Sequence, residues 1–225
     1  EVPSRGLGDV YKRQDSFSYN RGKVLGFEEL EKLDSYGRYL DSDNDGICYR
    51  TYPGTHPEKG AYFTRGTSHD EYARYTEDGN INAETLMRLM RKFRTASELV
   101  PPPIIEINGE DSCGIIYYGS SKPAVLEAKD ILKTKDINVD LMQIRSFPFN
   151  LDVWEFIASH DRIYVVEQNR DSQMRTLIMA EGGISAEILR PLVHFTGDPI
   201  EASYIVNKIS EREVNYKSHK NIKER

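Results

Sequence analysis

Cysteine is scarce. Cys48 and Cys113 are the only two in 225 residues, and they stand far apart, in no C-x-x-C pair. Two thiolates are too few for an iron–sulfur cluster, which takes four ligands as a rule. A disulfide between them would have little standing in a reducing compartment. Long apolar runs are also missing. None approaches the roughly 20 residues of a membrane-spanning helix, and the mean hydropathy is −0.60. No charged-then-apolar secretion signal opens the sequence. There is no basic excess either: 30 Lys+Arg against 36 Asp+Glu leave a formal charge of −6. That argues against a broad nucleic-acid or anionic-membrane surface. Together these absences give the expectation of a cytoplasmic chain that meets neither nucleic acid nor membrane.

What is present suffices for a core. Hydrophobic residues make up 38% and charged residues 29%, and the length suits one or two domains. Residues 1–14, EVPSRGLGDVYKRQ, show no apolar period and no cap. They read as a non-native leader, the alternative being a native flexible tail. Residues 15–79 are polar and turn-rich, with one short helical stretch, FEELEKL (27–33). Their many tyrosines and phenylalanines oppose disorder, so this segment is expected to wrap a larger body.

Residues 82–99 then give an amphipathic helix, with Asn82 as cap and Glu84 in its first turn. Leu86, Met90, Phe93 and Ser97 share one stripe, beside Met87, Leu89 and Ala96. The run Pro101–Pro103 stops it and marks a boundary.

Beyond the prolines the period changes. CGIIYYGSS (113–121), INVDLMQIR (137–145), RIYVVEQN (162–169) and LRPLVHF (189–195) read as buried strands. Between them lie helices with apolar faces. One is capped by Ser121 and carries Val125, Leu126, Ala128, Ile131 and Leu132. One is capped by Asn150 and carries Val153, Trp154, Phe156 and Ile157. One spans 172–181 and ends at Gly182–Gly183, and one spans 198–210. Strand–helix alternation at this spacing predicts an α/β fold, a three-layer parallel sheet domain over 104–210. Residues 211–225 read as a frayed basic tail. Residues 104–207 supply their own core pattern and are expected to be the more autonomous part.

Several stretches resemble, in order, the alpha subunits of 2-oxoacid:ferredoxin oxidoreductases, the 2-oxoglutarate type above all. They are NRGKVL (20–25), RYLDSDNDGICYRT (38–51), RTYPGTHPEKGAYFTRGTSHDEYARYTEDG (50–79), GIIYYGSSKPAVLEA (114–128), IRSFPF (144–149) and VVEQNRDSQMR (165–175). The resemblance covers about residues 15–207. It implies a thiamine diphosphate enzyme that decarboxylates a 2-oxoacid, reduces ferredoxin through a [4Fe-4S] cluster and forms acyl-coenzyme A. It also implies that residues 15–103 are the end of a pyrimidine-binding domain with its connector, and that 104–210 resemble the C-terminal domain of transketolase. The upstream motifs of such subunits are not found here. The diphosphate, Mg2+ and cluster sites belong to the beta subunit in this family. The fragment alone is therefore expected to bind none of these groups and to act as part of a heteromer. The alternative is an assembly domain of another thiamine diphosphate enzyme, of the transketolase or E1 type.

No residue earns a firm catalytic assignment. Arg65, His69, Asp70 and Glu71 bring a histidine beside carboxylates and a guanidinium, which suits proton transfer or anion orientation. The same residues would also serve a loop that folds on its own ion pairs and caps. His56, between prolines, reads as a turn residue. Asp41, Asp43 and Asp45 match the start of a calcium loop, but Tyr52 stands where the bidentate Glu is required. An Asp/Gly turn is the plainer reading. Glu167, Gln168, Asn169 and Arg170 follow the third strand, where ligands or partners sit in parallel sheets. They are candidates for subunit contact, or simply for capping the next helix. Gly119, Ser120 and Ser121 form a turn before a helix, without the pattern of a Walker loop or a full G-x-G-x-x-G.

Overall fold

The computed structural model describes residues 20–60, 68–109 and 113–223. The segment 1–14 and Arg65 lie outside the described residues. The chain divides into two compact units, Glu1–Lys92 and Phe93–Arg225. The division falls inside a helix rather than at the proline run.

The second unit is built on five strands: β1 (Ile104–Glu106), β2 (Cys113–Tyr117), β3 (Val139–Gln143), β4 (Ile163–Glu167) and β5 (Leu189–Val193). Their spatial order is β1-β3-β2-β4-β5. The pairs β2–β3, β2–β4 and β4–β5 are parallel. The expectation of an all-parallel sheet is corrected at one edge, where β1 runs antiparallel to β3 with Ile105 opposite Met142. A three-residue apolar stretch next to three prolines carries no period to read. The prolines, which lack an N–H, are tolerated beside an edge strand.

Every residue of β2 and of β4 is buried. That follows from cover on both faces. Ile115, Leu141, Tyr164 and Val166 point to one side and pack with α3 (Lys122–Lys133) and α6 (Ala202–Lys223). Ile116, Met142, Ile163 and Val165 point to the other and pack with α4 (Leu151–Ala158) and α5 (Gln173–Gly182). Successive side chains of a strand leave on opposite faces, so uninterrupted apolar runs are what a three-layer domain needs. Burying each such side chain stabilises the fold by about 1.5–3 kcal/mol.

Asn150 caps α4 as its type suggests, its side chain accepting from the Asp152 N–H at 3.0 Å. Ser121 stands at the N-cap position of α3, but its hydroxyl meets Gln168 Nε2 at 3.2 Å, so the expected serine cap is corrected. Gly183, at φ +62°, ends α5 in the left-handed region that glycine enters without strain.

The largest correction concerns residues 211–225. Helix α6 runs on to Lys223 instead of ending near 210. Glu213 is the reason. It is 1% exposed and binds Arg162 and Tyr164 of the sheet, fastening the later turns of the helix.

In the first unit, α1 (Phe27–Glu31) answers the short helical stretch. Apart from the helical residues 79–92, the rest of its described part is irregular, held by local contacts and by isolated bridges at Val24–Arg50 and His69–Tyr75. His56 is buried. Its Nδ1 accepts from the N–H groups of Glu58 and Lys59 at 3.1 and 3.0 Å. The proton must then sit on Nε2, which donates to Glu31 Oε1 at 2.9 Å. The turn reading of His56 is what the structure gives.

Helix α2 (Gly79–Leu99) begins three residues before the expected start at Asn82. Asp78 is its cap, accepting from the Asn80 N–H at 2.8 Å, and Asn82 lies within the first turn. None of its residues is buried, so the apolar stripe of Leu86, Met90 and Phe93 faces outward.

Candidate functional site

At the carboxyl ends of β2 and β4 the second unit gathers a polar cluster. Glu167 is fully buried. Its Oε2 accepts from the Met174 N–H and from Asn169 Nδ2, both at 2.8 Å. Its Oε1 accepts from the Arg175 N–H at 2.9 Å. A carboxylate is thus held against the amino end of α5, where the exposed amides and the helix dipole favour negative charge. Burial, reinforced by Glu167, holds the nearby Tyr118 phenol above its ordinary value, so it remains a donor at neutral pH. Asn169 Oδ1 accepts from the N–H groups of Asp171 and Gln173. Gln168 reaches back to Ser120 and Ser121 at 2.9 and 3.2 Å.

Within this quartet Gln168 and Arg170 are exposed, while Glu167 and Asn169 shape the turn from beneath. Glu167→Gln replaces one acceptor by a donor facing an N–H. The expected loss is about 2 kcal/mol, read from urea unfolding followed by Trp154 fluorescence. A loss under about 0.5 kcal/mol would contradict the capping role.

The loop of His69, Asp70 and Glu71 folds on itself. Asp70 Oδ1 accepts from the N–H groups of Tyr72 and Arg74 at 2.9 and 2.8 Å. His69 stacks on Tyr39 with ring centroids 3.8 Å apart, and its Nδ1 lies 3.0 Å from the Asp70 carbonyl. The Glu71 carbonyl accepts from the Tyr39 N–H at 2.9 Å, while its side chain is exposed.

The carboxylates at 41–45 are likewise engaged. Asp43 and Asp45 each hold Lys23 Nζ at 2.7 Å. Asp41 pairs with Arg91 at 2.9 Å and accepts from the Gly46 N–H. Lys23 and the Ile47 N–H hold the Asp45 carboxyl below its usual range. Among the described residues no cluster of three His, Cys, Asp or Glu side chains is arranged to take a metal ion.

A cavity of about 400 Å³ opens in the first unit. It was not legible in the sequence, because its walls come from three separated stretches, 21–23, 38–50 and 88–92. Six of its lining residues are cationic: Arg21, Lys23, Arg38, Arg50, Arg88 and Lys92. Cys48 also lines it, and partial burial raises its thiol despite the opposing pull of Arg88, Arg38 and Lys92.

Cys113, in β2, behaves differently. Burial pushes its thiol up to about 12 from an ordinary 9.0. A value raised by folding means stability that is whole below pH 9 and lost as pH climbs toward 12, at up to about 1.4 kcal/mol per pH unit. Cys113→Ala should flatten the fall of unfolding free energy above pH 9 relative to the parent protein. An identical alkaline slope would refute that.

The fold defines the class: a three-layer α/β domain with helices on both faces of a mostly parallel sheet. Comparison with known proteins narrows the class. No family model matches the chain. It is similar to the alpha subunit of 2-oxoacid:ferredoxin oxidoreductase 2 from Aeropyrum pernix, 28% identical over 200 residues, which are 85% of this chain and 29% of that protein. It is 25% identical over 188 residues to the 2-oxoacid:ferredoxin oxidoreductase alpha subunit of Saccharolobus solfataricus, covering 81% of this chain and 28% of that one. Among solved structures, it matches 2-oxoglutarate:ferredoxin oxidoreductase from Magnetococcus marinus, solved with 2-oxoglutarate, coenzyme A and succinyl-CoA bound. The TM-score is 0.70 with 23% identity over 80% of this chain and 31% of that one. That match bears out the α/β fold. The resemblance read from the motifs, to alpha subunits of 2-oxoacid:ferredoxin oxidoreductases, is borne out as well. The chain spans under a third of the length of these relatives.

Proposed function

We propose that this chain forms the C-terminal part of the alpha subunit of a 2-oxoacid:ferredoxin oxidoreductase, with 2-oxoglutarate as the preferred acid. The complex would oxidatively decarboxylate the acid, reduce ferredoxin and release the acyl group on coenzyme A. One observation carries the reading: the similarity to an alpha subunit extends over 85% of the chain. The role fits a cytoplasmic heteromer, and no helix among the described residues is long and apolar enough to cross a membrane.

Thiamine diphosphate with Mg2+ supplies the carbanion chemistry in such enzymes, and a [4Fe-4S] cluster the electron path. The described residues do not fit these groups as ligands. The carboxylates at 41–45 are satisfied by Lys23, Arg91 and backbone amides. Cys113 lies among apolar side chains, and Cys48 among cations. The beta subunit is the expected source of their sites.

The part left to this chain is positional. Its sheet domain presents Gln168 and Arg170 at the strand ends as subunit contacts, with Glu167 and Asn169 fixing the turn beneath them. His69, Asp70 and Glu71 form the corresponding candidate loop of the first unit, of which Glu71 is exposed.

Co-expression of the complete alpha subunit with its beta subunit tests the reading. Viologen reduction should require both a 2-oxoacid and coenzyme A. Activity with pyruvate but not 2-oxoglutarate would overturn the substrate assignment, and no 2-oxoacid-dependent reduction would overturn the whole proposal.

A further inference from the structure

The two edges of the sheet in the second unit are finished differently. At the β5 edge, the Ile163 N–H bonds to the Ile188 carbonyl at 2.8 Å and the His194 N–H to the Glu167 carbonyl at 2.9 Å. Backbone groups alternate in direction along a strand, so Arg190 and Leu192 face β4 while Leu189, Pro191 and Val193 face outward. All three outward carbonyls are taken by side chains: Leu189 by Arg175 Nε at 2.6 Å, Pro191 by Arg212 Nη1 at 2.9 Å and Val193 by the Tyr204 hydroxyl at 2.7 Å. Pro191 has no N–H to offer. This edge is closed to a further strand.

The β1 edge carries no such seal. The Cys113 N–H bonds to the Asn138 carbonyl at 3.3 Å and the Ile144 N–H to the Tyr117 carbonyl at 2.9 Å. The even-numbered residues of β3 therefore face β2, and Leu141 and Gln143 face β1, opposite Glu106 and Ile104. Bonded and unbonded pairs alternate in an antiparallel ladder. Ile105, between them, turns its N–H and carbonyl outward, and no side chain among the described residues caps either group. Ile105 and Ile107 are 38% and 62% exposed, where an edge left to solvent would carry charge or proline.

Beside this edge runs a groove of about 320 Å³, lined by Ile105, Ile107, Phe156, Ser159, Asp152 and Glu155. The last four form one stripe of α4 and its C-cap, at i, i+3, i+4 and i+7. The floor is apolar and the rim is acidic. Neither carboxylate of the rim has a cationic partner among the described residues.

We propose that the β1 edge takes an extended segment of a partner protein, added as a further strand, with apolar side chains and a lysine or arginine on the face it turns to α4. The apolar side chains would cover Ile105, Ile107 and Phe156, and the cation would lie against Asp152 and Glu155. Main-chain bonds and alternate side-chain contacts are the two parts of such recognition. Because β1 is short, the backbone supplies few bonds, and the groove must supply most of the affinity. The charge decides against a second copy of this chain, whose own acidic rim would be brought against this one.

The test adds a fluorescein-labelled peptide, Thr-Ile-Thr-Lys-Thr-Ile-Thr, to the full chain. In a strand its isoleucines and lysine share one face. Anisotropy should show saturable binding, and exchange at the Ile105 amide, followed by NMR, should slow about tenfold as that N–H gains a partner. The peptide with glutamate in place of lysine should bind about tenfold more weakly. Asp152→Lys with Glu155→Lys should reverse that order. Two further peptides carry N-methyl groups on alternate residues, one in each register. The one whose methylated groups face β1 should lose binding, and the other should keep it.

No binding of the lysine peptide at about 1 mM, an affinity scarcely above thermal energy, would overturn the proposal. Equal affinity for the lysine and glutamate peptides would do the same, as would an unreversed order in the double variant or undiminished binding by both methylated peptides. Self-association that protects the Ile105 amide with no peptide present would put a second copy on the edge and also overturn it. No 2-oxoacid, coenzyme A or ferredoxin enters these measurements, so failure here and failure of the oxidoreductase reading are separately visible.

Discussion

Replacing Glu213 by alanine is expected to destabilise the sheet domain by about 3–5 kcal/mol, the size of loss seen when one partner of a buried ion pair is removed. Its carboxylate sits 2% exposed opposite an Arg162 side chain that is 9% exposed. Arg162 Nε lies 2.8 and 3.0 Å from the two oxygens, and the Tyr164 hydroxyl donates to one of them at 2.8 Å. Arg190 in turn donates to that hydroxyl at 3.3 Å, and Arg162 lies over the Tyr216 ring at 4.2 Å. Burial first, and Glu213 with it, raises the Tyr164 phenol well above its ordinary value.

Alanine would leave a guanidinium buried without its carboxylate and a phenol without its acceptor. Both terms act in the same direction, and the turns of α6 beyond Ile209 would lose their tie to β4. Urea unfolding followed by Trp154, the one tryptophan of the chain, measures the loss. The double variant Arg162→Met with Glu213→Leu should recover most of it, because no charge then remains to be buried. A single-variant loss below 1 kcal/mol, or no recovery in the double, would show that the pair does not hold the helix.

Gly46→Ala is the second large effect, and it falls in the first unit. Gly46 is buried at φ +80°. A β-carbon there would run into the Lys92 nitrogen and come within 2.6 Å of its Cα and 2.8 Å of the Arg88 carbonyl oxygen. These are backbone atoms of α2 and cannot swing aside. The left-handed conformation adds its own penalty to any side chain. Together the clash and the strain should cost about 3 kcal/mol or more.

The contacts that would be lost are definite. They are the Gly46 N–H to Asp41, the Gly46 carbonyl to Arg88, and the Asp41–Arg91 pair. Hydrogen exchange is the suitable readout, since no tryptophan lies in this unit. Amides over residues 39–50 should exchange at least a hundredfold faster in Gly46→Ala. Asn44→Gly is the control: Asn44 shares a positive φ of 57° but is exposed, so exchange there should hardly change. Unchanged protection in Gly46→Ala would remove the close approach from the argument.

The contrast between Glu213 and Gly46 shows what a one-dimensional reading reaches. The strands at 113–117, 139–143, 163–167 and 189–193 announce themselves through their apolar residues, and the faces of α3 and α4 and the Asn150 cap of α4 through spacing alone. Such signals are local, because strand pleat and helix pitch repeat within a few residues. The aspartates at 41–45 with Gly46 suggest a turn by their composition, and the backbone turns there. What could not be read is that Gly46 exists for the sake of a helix forty residues downstream. Strand β1 escaped because three residues hold no period. The length of α6 escaped because a charged residue, read in isolation, suggests solvent rather than the interior.

The composition and periodicity of this chain determined by themselves that its later half would be a layered α/β domain and which side chains would fill the two apolar layers. Burial of apolar surface is non-directional and needs only the right residues at the right intervals. Tertiary structure alone decided where the charges went: Glu213 inward onto Arg162, Glu167 beneath the amino end of α5, and six cations around one cavity in the first unit. Electrostatic and hydrogen-bond energies depend on distance and direction between groups far apart in the chain, and those quantities come into being only once the backbone has folded.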